Sequence, residues 1–431
     1  MSTSLEGIAN KAKREKQHRF RDLSRMLTEE YLHECWGTLN KKAAAGIDRV
    51  TWQEFAENLD ENIRELVEDL KHKRYRAQPI RRKYIAKSNG KQRPLGIPAI
   101  RDKLVQRAVS NILQAIWEAD FHSNMYGYRP GRSAHDAIND LQGTLRRGRY
   151  EYVVEADITG FFDNLDHEWL VRMLEQRIDD RSFIRIIRKW LKVGVLEEDG
   201  RFIHPTTGTP QGGIVSSVLA NIYMHYVLNE WFEKVVRKRC RGACTLSVYA
   251  DDFVTAFEYE ADARWFFEAL ENRMGKFSLS LSKEKTNIIL FSRYRKDESG
   301  AFEYLGFEFR WTTSHRGKDW LKRSTAKKGL TNSMRNVKEW CKKNRHMRID
   351  DFFKRINAKL RGYYNYYGVI GNLDRMWTFH LYVVRTIFRW LNRRSQRKSY
   401  HWSSFEDLMK QFPLVKPRIT DRTTGVAFST R

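Results

Sequence analysis

Two adjacent aspartates interrupt the apolar, β-prone run Thr245-Leu246-Ser247-Val248-Tyr249-Ala250-Asp251-Asp252-Phe253-Val254-Thr255-Ala256-Phe257. The flanking residues predict two strands joined by a tight turn. Neighbouring carboxylates repel one another, and holding them together is costly unless a cation is present. Mg²⁺ prefers one or two carboxylates together with phosphate oxygens. The hairpin is therefore a candidate metal site, although an Asp-Asp pair is also an ordinary turn sequence.

The composition indicates a folded protein with a polyanionic partner. The chain has 431 residues, 41% of them hydrophobic, which suggests two or three packed units. The net charge is +26, and most of it falls in residues 312–431, which hold 28 Lys and Arg against 8 Asp and Glu. Aromatic residues interleave with the basic ones at 361–367 and 388–394. This pattern suits RNA or single-stranded nucleic acid, but a helical bundle with a solvated basic face also produces it.

The cysteines and the apolar segments limit the cellular compartments in which the protein is expected. Cys35, Cys240, Cys244 and Cys341 include no Cys-x-x-Cys pair, so neither a disulfide framework nor structural zinc is expected. The N-terminus is charged and lacks an apolar signal core. Residues 202–229 carry no Lys, Arg, Asp or Glu, but their apolar part is shorter than the ~20 residues of a membrane span. We expect a buried helix there, in a cytoplasmic, nucleoid-associated protein with no membrane partner.

Hydrophobic periodicity predicts an α+β protein. Residues 1–75 read as a mostly helical extension, and residues 80–98 as a β-hairpin around a turn at 88–91. Helical patterns dominate beyond about residue 320, and a domain boundary is expected between 311 and 325. Helices are predicted at 101–117, 166–178, 214–236 and 261–275, a strand at 152–157, and a short strand pair near 302–307.

A third carboxylate, Asp157, ends the predicted strand at 152–157. If this strand pairs beside the hairpin, Asp157 converges with Asp251 and Asp252. Three carboxylates can hold two Mg²⁺ ions about 3.5–4 Å apart, an arrangement that activates a 3′-hydroxyl and stabilises leaving pyrophosphate. The alternative is that Asp157 only caps the turn before Gly160.

Three further features suit a bound nucleotide. Phe162 lies five residues after Asp157, where a ring can stack under a sugar and exclude a 2′-hydroxyl, or can equally belong to the core. The loop Gly208-Thr209-Pro210-Gln211-Gly212-Gly213 allows close backbone approach, and no phosphate-loop Lys-Ser/Thr pair follows it. Lys87 and Arg93 flank the 88–91 turn, where two cations can clamp a triphosphate or simply be solvated.

The order of the motifs resembles the reverse transcriptase–maturase proteins of bacterial group II introns. The resemblance runs from about residue 42 to about residue 419, nearly the whole chain. The stretches that carry it are Ala45-Gly46-Ile47-Asp48, Arg93-Pro94-Leu95-Gly96-Ile97-Pro98, Tyr126-Gly127-Tyr128-Arg129-Pro130-Gly131-Arg132-Ser133-Ala134-His135-Asp136-Ala137, Asp157 to His167, the 208–213 loop with Leu219-Ala220-Asn221, Tyr249 to Phe253, Glu284-Lys285-Thr286 and Tyr304-Leu305-Gly306-Phe307.

This resemblance implies a right-hand polymerase that copies RNA into DNA. Its fingers would span 76–150, an antiparallel-sheet palm 151–311, and a basic helical thumb or maturase domain 312–431, after an N-terminal extension at 1–75. By position, Asp157, Asp251 and Asp252 are the implied catalytic residues. The implied metal-binding set for two Mg²⁺ ions, or Mn²⁺, is Asp157, Ile158, Asp251 and Asp252. Phe162 is the implied sugar gate, and the other implied nucleotide contacts are Lys87, Arg93, Gln211 and Lys285.

The implied partners are an RNA template, a DNA primer, deoxynucleoside triphosphates and a group II intron RNA, whose splicing and mobility the protein would assist. The oligomeric state stays open. Val248 stands where the family often has arginine, and Ser217-Val218 where Pro-Leu is usual, but neither change affects an implied metal ligand.

The chain ends soon after Ile419, without room for the nuclease domain of many relatives, which implies a nuclease-less form or a group II intron-like relative. Two alternative functions remain open. One is a host-adopted group II-like reverse transcriptase in DNA repair or phage defence. The other is an RNA-binding splicing factor with an idle polymerase site.

Overall fold

The computed structural model describes residues 4–86, 92–284, 286–314, 316–394 and 399–421. It combines helices with sheets, as the α+β prediction requires. In chain order the helices are α1 (Leu5–Arg14), α2 (Glu29–Gly37), α3 (Trp52–Glu57), α4 (Leu59–Lys71), α5 (Ile100–Trp117), α6 (Ala134–Arg147), α7 (His167–Glu175), α8 (Arg181–Lys192), α9 (Ser216–Met224), α10 (Arg237–Arg239), α11 (Glu260–Lys276), α12 (Lys327–Asn344), α13 (Ile349–Tyr367), α14 (Leu373–Leu391) and α15 (Trp402–Gln411). The strands are β1 (Ile80–Ala86), β2 (Gln92–Ile97), β3 (Tyr152–Asp157), β4 (Val195–Leu196), β5 (Phe202–Ile203), β6 (Cys244–Tyr249), β7 (Asp252–Phe257), β8 (Asn287–Leu290), β9 (Ala301–Tyr304), β10 (Phe307–Thr313) and β11 (Asp319–Thr325).

Polar side chains begin several helices by accepting hydrogen bonds from backbone N–H groups that the first turn leaves unpaired. Thr51 and Glu54 form a complete capping box at α3. The other capping residues are Ser4 for α1, Thr28 for α2, Asp166 for α7 and Asp180 for α8. These helix starts therefore follow from local chemistry that the sequence itself contains.

The chain divides into two compact units, Met1–Ala137 with Val154–Ile288 and Ile138–Val153 with Ile289–Arg431. In the first unit, α5 is a core helix, and its predicted apolar face, including Leu104, Val109 and Ile112, is fully buried. In the second unit, helices α12 to α14 pack around a shared apolar core. Its fully buried members include Phe352, Ile356, Leu360, Val383 and Ile387. Nowhere in the described ranges is a helix both long and apolar enough to cross a membrane.

Strands of the described residues form three sheets. One has the order β2-β1-β4-β5, and its antiparallel β1–β2 pair confirms the hairpin predicted at 80–98, whose turn at 88–91 lies outside the described residues. Another has the order β11-β10-β9. The third, β6-β7-β3-β8, contains both strands that carry the candidate aspartates. The confirmed strand at 152–157 is therefore the direct neighbour of β7.

Two regions differ from the periodicity prediction. The helix predicted at 214–236 begins as α9, but wider π-helical turns follow at His225–Asn229 and Phe232–Val236. Helices do not start near residue 320, because β11 pairs with β10 from Phe307↔Thr325 to Thr313↔Asp319. Strand β11 is hard to recognise because its inward-facing Arg323 is charged. Arg323 is buried through a 2.7 Å ion pair with Asp421, 98 residues later in the chain.

His225 makes the stability of the first unit sensitive to acid. Its side chain is almost fully buried, and its Nδ1 has no hydrogen-bond partner among the described residues. Burial lowers the pKa of His225 to about 3, with Glu230 raising it and His122, Lys234 and Arg129 lowering it further. The imidazole is therefore neutral in the folded state at pH values where an unfolded chain already binds a proton.

His225→Phe is expected to reduce the loss of stability on acidification. For the wild type, the contribution of His225 is complete above pH ~6.5 and is lost as the pH falls toward 3. Between pH 7 and pH 5 this amounts to about 2 kcal/mol of unfolding free energy. Burial raises the pKa of Asp102 to about 6, so the contribution of Asp102 to stability increases as the pH falls, opposite to that of His225. Variant and wild type must therefore be compared at each pH. Denaturant unfolding at each pH measures the difference in unfolding free energy. The control is a substitution of an exposed histidine, His204→Gln. Equal dependence of the unfolding free energy on pH in all three proteins would contradict the prediction.

Candidate active site

The β6–β7 hairpin turns sharply at the candidate aspartates. Tyr249 pairs with Asp252, so Ala250 and Asp251 alone form the turn. Ala250 has a φ of 59°, a left-handed conformation that is strained for any residue other than glycine. The turn is also pressed against a second segment, because a Cβ on Gly127 would lie 2.4 Å from the Ala250 nitrogen. Only glycine at position 127 permits this approach, which fixes where Asp251 and Asp252 lie.

Strand β3 brings Asp157 to the same edge of the sheet. The Thr255 hydroxyl of β7 donates a 3.5 Å hydrogen bond to the Val154 carbonyl of β3, so the middles of the two strands lie side by side. Beyond Asp157 the chain reaches Phe162, whose ring centroid is 6.5 Å from that of Tyr128. Burial and then the carboxylate of Asp251 raise the pKa of Tyr128, and the influence of Asp251 places this ring near the hairpin turn. The segment that follows β3 and the β6–β7 turn therefore both lie near Tyr128, so the end of β3 that carries Asp157 is on the side of the turn.

The carboxylates differ in their exposure to solvent. Asp252 is exposed, whereas Asp157 and Asp251 are half-buried. The side chain of Ile158 is buried, and its backbone forms an isolated bridge with Leu281. Ile158 can therefore contribute only its carbonyl oxygen to a cation. Carboxylate and carbonyl oxygens are the hard donors that Mg²⁺ prefers.

Phe162 is held beside this edge by the glycine-rich loop. Phe162 lies half-buried in the 3₁₀ turn Phe161–Asp163. Its carbonyl accepts a 2.7 Å hydrogen bond from the Thr209 N–H. Gly208 has a φ of 85°, and a Cβ there would lie 2.7 Å from the Asp163 carbonyl oxygen. The loop therefore packs directly on the turn that presents the Phe162 ring.

The same loop also contacts strand β2, which carries Arg93. The Gly96 N–H donates a 2.6 Å hydrogen bond to the carbonyl of Gln211. A Cβ on Gly212 would lie 2.8 Å from the Gly96 carbonyl oxygen, so this contact again requires glycine. Arg93 is exposed and lies close enough to Tyr128 to oppose part of the rise in its pKa. The structure thus brings Arg93 and Phe162 close to Tyr128 and holds the Gln211 loop between the Phe162 turn and strand β2. Lys87 and Lys285 lie outside the described residues.

Tyr128 also belongs to this site, although no role for it could be predicted from the sequence. It has a φ of 57°, is about half exposed, and stands between Phe162, Asp251 and Arg93. Burial is the main cause of its raised pKa, followed by the Asp251 carboxylate. The sequence feature that could have indicated Tyr128 is the tripeptide Tyr126-Gly127-Tyr128, since a glycine between two aromatic residues suggests a close backbone approach.

Arg129 and Arg132, which follow Tyr128, hold their own segment in place. Arg129 is buried, forms a 2.9 Å ion pair with Glu118, and donates to the carbonyls of His122 and Met125. Arg132 donates to the Ser123 carbonyl and lies over the Tyr126 ring. These contacts stabilise the segment that carries Gly127 and Tyr128 to the aspartates.

Comparison with known protein families gives two matches along the chain. The reverse transcriptase (RNA-dependent DNA polymerase) family model matches residues 85–309, which include the whole candidate site. The group II intron, maturase-specific domain matches residues 330–405, within the second unit.

Individual relatives agree with these matches. Protein YkfC of Escherichia coli is 35% identical over 309 residues, which are 63% of this chain and 80% of YkfC. Group II intron-encoded protein LtrA of Lactococcus lactis subsp. cremoris is 44% identical over 167 residues, 38% of this chain but only 27% of LtrA. An uncharacterized 91 kDa protein in the cob intron of Schizosaccharomyces pombe is 40% identical over 173 residues, 40% of this chain and 21% of that protein. The chain belongs to the reverse transcriptase family, among the group II intron reverse transcriptases and maturases.

Proposed function

We propose that this chain is an RNA-directed DNA polymerase whose catalytic residues are Asp157, Asp251 and Asp252. The observation that carries the proposal is that β3 lies beside β7 with its Asp157 end on the side of the β6–β7 turn, inside the region that matches the reverse transcriptase family. In this proposal the β6-β7-β3-β8 sheet is the palm, the β1–β2 hairpin belongs to the fingers, and helices α12 to α14 form the thumb.

The donor set fits a divalent cation, as expected for a family that uses divalent metals. Asp157, Asp251 and Asp252 would hold Mg²⁺, with the carbonyl of Ile158 as a further oxygen ligand. Two bound ions would lower the barrier for attack by a primer 3′-hydroxyl and neutralise charge on the leaving pyrophosphate.

The other residues of the site have roles that follow from their chemistry. Arg93 is an exposed guanidinium, and its fixed N–H donors suit the oxygens of a triphosphate. Gln211 offers a side-chain amide from a loop that is fixed on both sides by backbone hydrogen bonds. Phe162 would limit the space below the sugar and so exclude a 2′-hydroxyl. Lys87 and Lys285 are proposed as further nucleotide contacts from their positions in the sequence.

Primer extension tests the proposal directly. The purified chain is expected to extend a DNA primer on an RNA template with deoxynucleotides and Mg²⁺, and to stop when a chelator removes the metal. Mn²⁺ is expected to substitute for Mg²⁺. A protein that binds the primed template tightly but extends it with neither ion would contradict the polymerase proposal, and would favour an RNA-binding splicing factor.

A second activity, assistance of group II intron splicing, is supported by the maturase-domain match at residues 330–405. Residues 312–431 also hold 28 Lys and Arg against 8 Asp and Glu, a charge suited to RNA. The proposed RNA partner is a group II intron. A host-adopted role in DNA repair or phage defence would use the same polymerase site without that intron.

A further inference from the structure

A basic cavity lies in the first unit, formed by residues that are not among those of the candidate active site. It has a volume of about 370 Å³ and opens to solvent, and we call it the α8 cavity. Its lining residues are Arg76, Ala77, Arg185, Arg188, Lys189, Lys192 and Val193. Five of these seven side chains are cationic, so the cavity concentrates positive charge at one place on the surface.

The arrangement of helix α8 creates this concentration. The four cations at positions 185, 188, 189 and 192 recur at helical spacing and share one face. Phe183, Ile187 and Trp190 on the opposite face are buried in the protein. Since like charges three and four residues apart repel, the basic face is unfavourable in the protein alone. The helix dipole favours the cations of the last turn, but not Arg185, nor Arg76, which lies outside the helix.

Few acidic groups neutralise these cations. Arg188 forms a 2.8 Å ion pair with Glu168. Among described residues, Arg76, Arg185 and Lys192 have no ion-pair partner, and all three are exposed. Lys189 is half-buried, donates to the Tyr75 carbonyl and lies over the Tyr75 ring. Burial lowers the pKa of Lys189, and the charges of Arg185 and Arg76 lower it further, which shows how closely the three cations approach.

From this geometry we propose that the α8 cavity binds consecutive phosphates of an RNA strand, at a site separate from the polymerase centre. The proposal rests on the proposed function in taking RNA as the polyanion. An RNA backbone suits the site because the cations extend from position 185 to 192, about 10 Å along the helix. That length matches roughly three phosphates of one strand. A membrane surface does not suit α8, because the apolar face needed to enter lipid is already buried.

The test compares two double variants with the same change in charge. R185Q/K192Q removes two exposed cations of the cavity while leaving the contact between Lys189 and Tyr75 intact. K238Q/R241Q removes one lysine and one arginine that are exposed elsewhere in the first unit. A labelled RNA hairpin without primer is titrated with the wild type and with each variant over a range of salt concentrations.

R185Q/K192Q is expected to weaken RNA binding about tenfold and to reduce the salt dependence by between about 1.4 and 1.8 log units per log unit of salt. K238Q/R241Q is expected to stay within twofold of the wild type. Photo-crosslinking of thiouridine-substituted RNA, followed by peptide mapping, is expected to label the segment that contains α8. This label is expected to disappear in R185Q/K192Q.

Three outcomes would overturn the proposal. Equal RNA affinity and salt slope for both double variants would show that the basic face is merely solvated. In a parallel titration with tripolyphosphate, weaker binding by R185Q/K192Q without any loss of RNA binding would identify a small polyphosphate as the ligand instead. Tight RNA binding by the wild type without a crosslink near α8 would place the RNA elsewhere. If the wild type binds RNA but extends no primer, and R185Q/K192Q weakens that RNA binding, the cavity proposal stands and the polymerase proposal is rejected.

Discussion

Asp252→Asn is expected to abolish DNA synthesis while leaving RNA affinity nearly unchanged. The amide keeps the size of the side chain but removes the charge that a divalent cation needs. Loss of one ligand from a two-metal centre removes several kcal/mol of transition-state stabilisation, which corresponds to a fall in rate of about a thousandfold or more. Because Asp252 is exposed, the substitution should not disturb folding. Single-turnover primer extension with saturating template measures the effect on chemistry alone.

The control is Asp60→Asn, which removes an exposed carboxylate that forms an ion pair with His33 and should keep wild-type activity. An Asp252→Asn protein that extends primers within tenfold of the wild-type rate would show that Asp252 is not a metal ligand. The same variant separates the two proposed activities. If it still assists splicing of an intron RNA, the RNA-binding surface works without the polymerase centre.

The strands of the site could be predicted because their residues alternate or run continuously apolar over short segments. Tyr152–Asp157 agrees with the predicted strand, and β6 and β7 agree with the predicted hairpin. The sequence predicts that Asp157 meets the hairpin only if β3 lies beside β7, and the sheet order shows that the two strands are neighbours. Local periodicity identifies such strands, but it does not specify which strands become neighbours.

Tyr128 shows why the rest of the site could not be predicted. Its place beside Asp251 depends on the close approach of Gly127 to Ala250, two residues more than 120 positions apart in the chain. Gln211 likewise depends on a hydrogen bond from Gly96. A single sequence contains the glycines that permit these contacts but not the identity of their partners. Strand β11 was not predicted for the same reason, because its buried Arg323 is paired with Asp421, which is distant in the sequence.

Phe162→Ala is expected to relax the discrimination between deoxynucleotides and ribonucleotides. The ring of Phe162 is half-buried and packs at steep angles against the rings of Tyr128 and Phe161, so its position is fixed from two sides. Removing it opens space next to the proposed metal ligands, where a 2′-hydroxyl would otherwise be excluded. A steric contact of this size discriminates by about 1–3 kcal/mol. The ratio of kcat/KM for deoxynucleotide over ribonucleotide should therefore decrease by about 10- to 200-fold. The measurement is kcat/KM for a deoxynucleotide and its ribonucleotide on the same primed RNA template.

Phe162→Tyr is the matched variant, because it keeps the ring and should keep the discrimination. A general loss of packing in Phe162→Ala would lower kcat/KM for both nucleotides equally, leaving their ratio unchanged. A changed ratio therefore reports contact with the sugar and not the stability of the turn at Phe161–Asp163. If Phe162→Ala folds and extends primers with wild-type selectivity, the ring only supports the contact with Tyr128. The selectivity would then have to come from another group of the site, and Tyr128 is a candidate, since its ring packs against Phe162 and its pKa is raised by burial and by the Asp251 carboxylate.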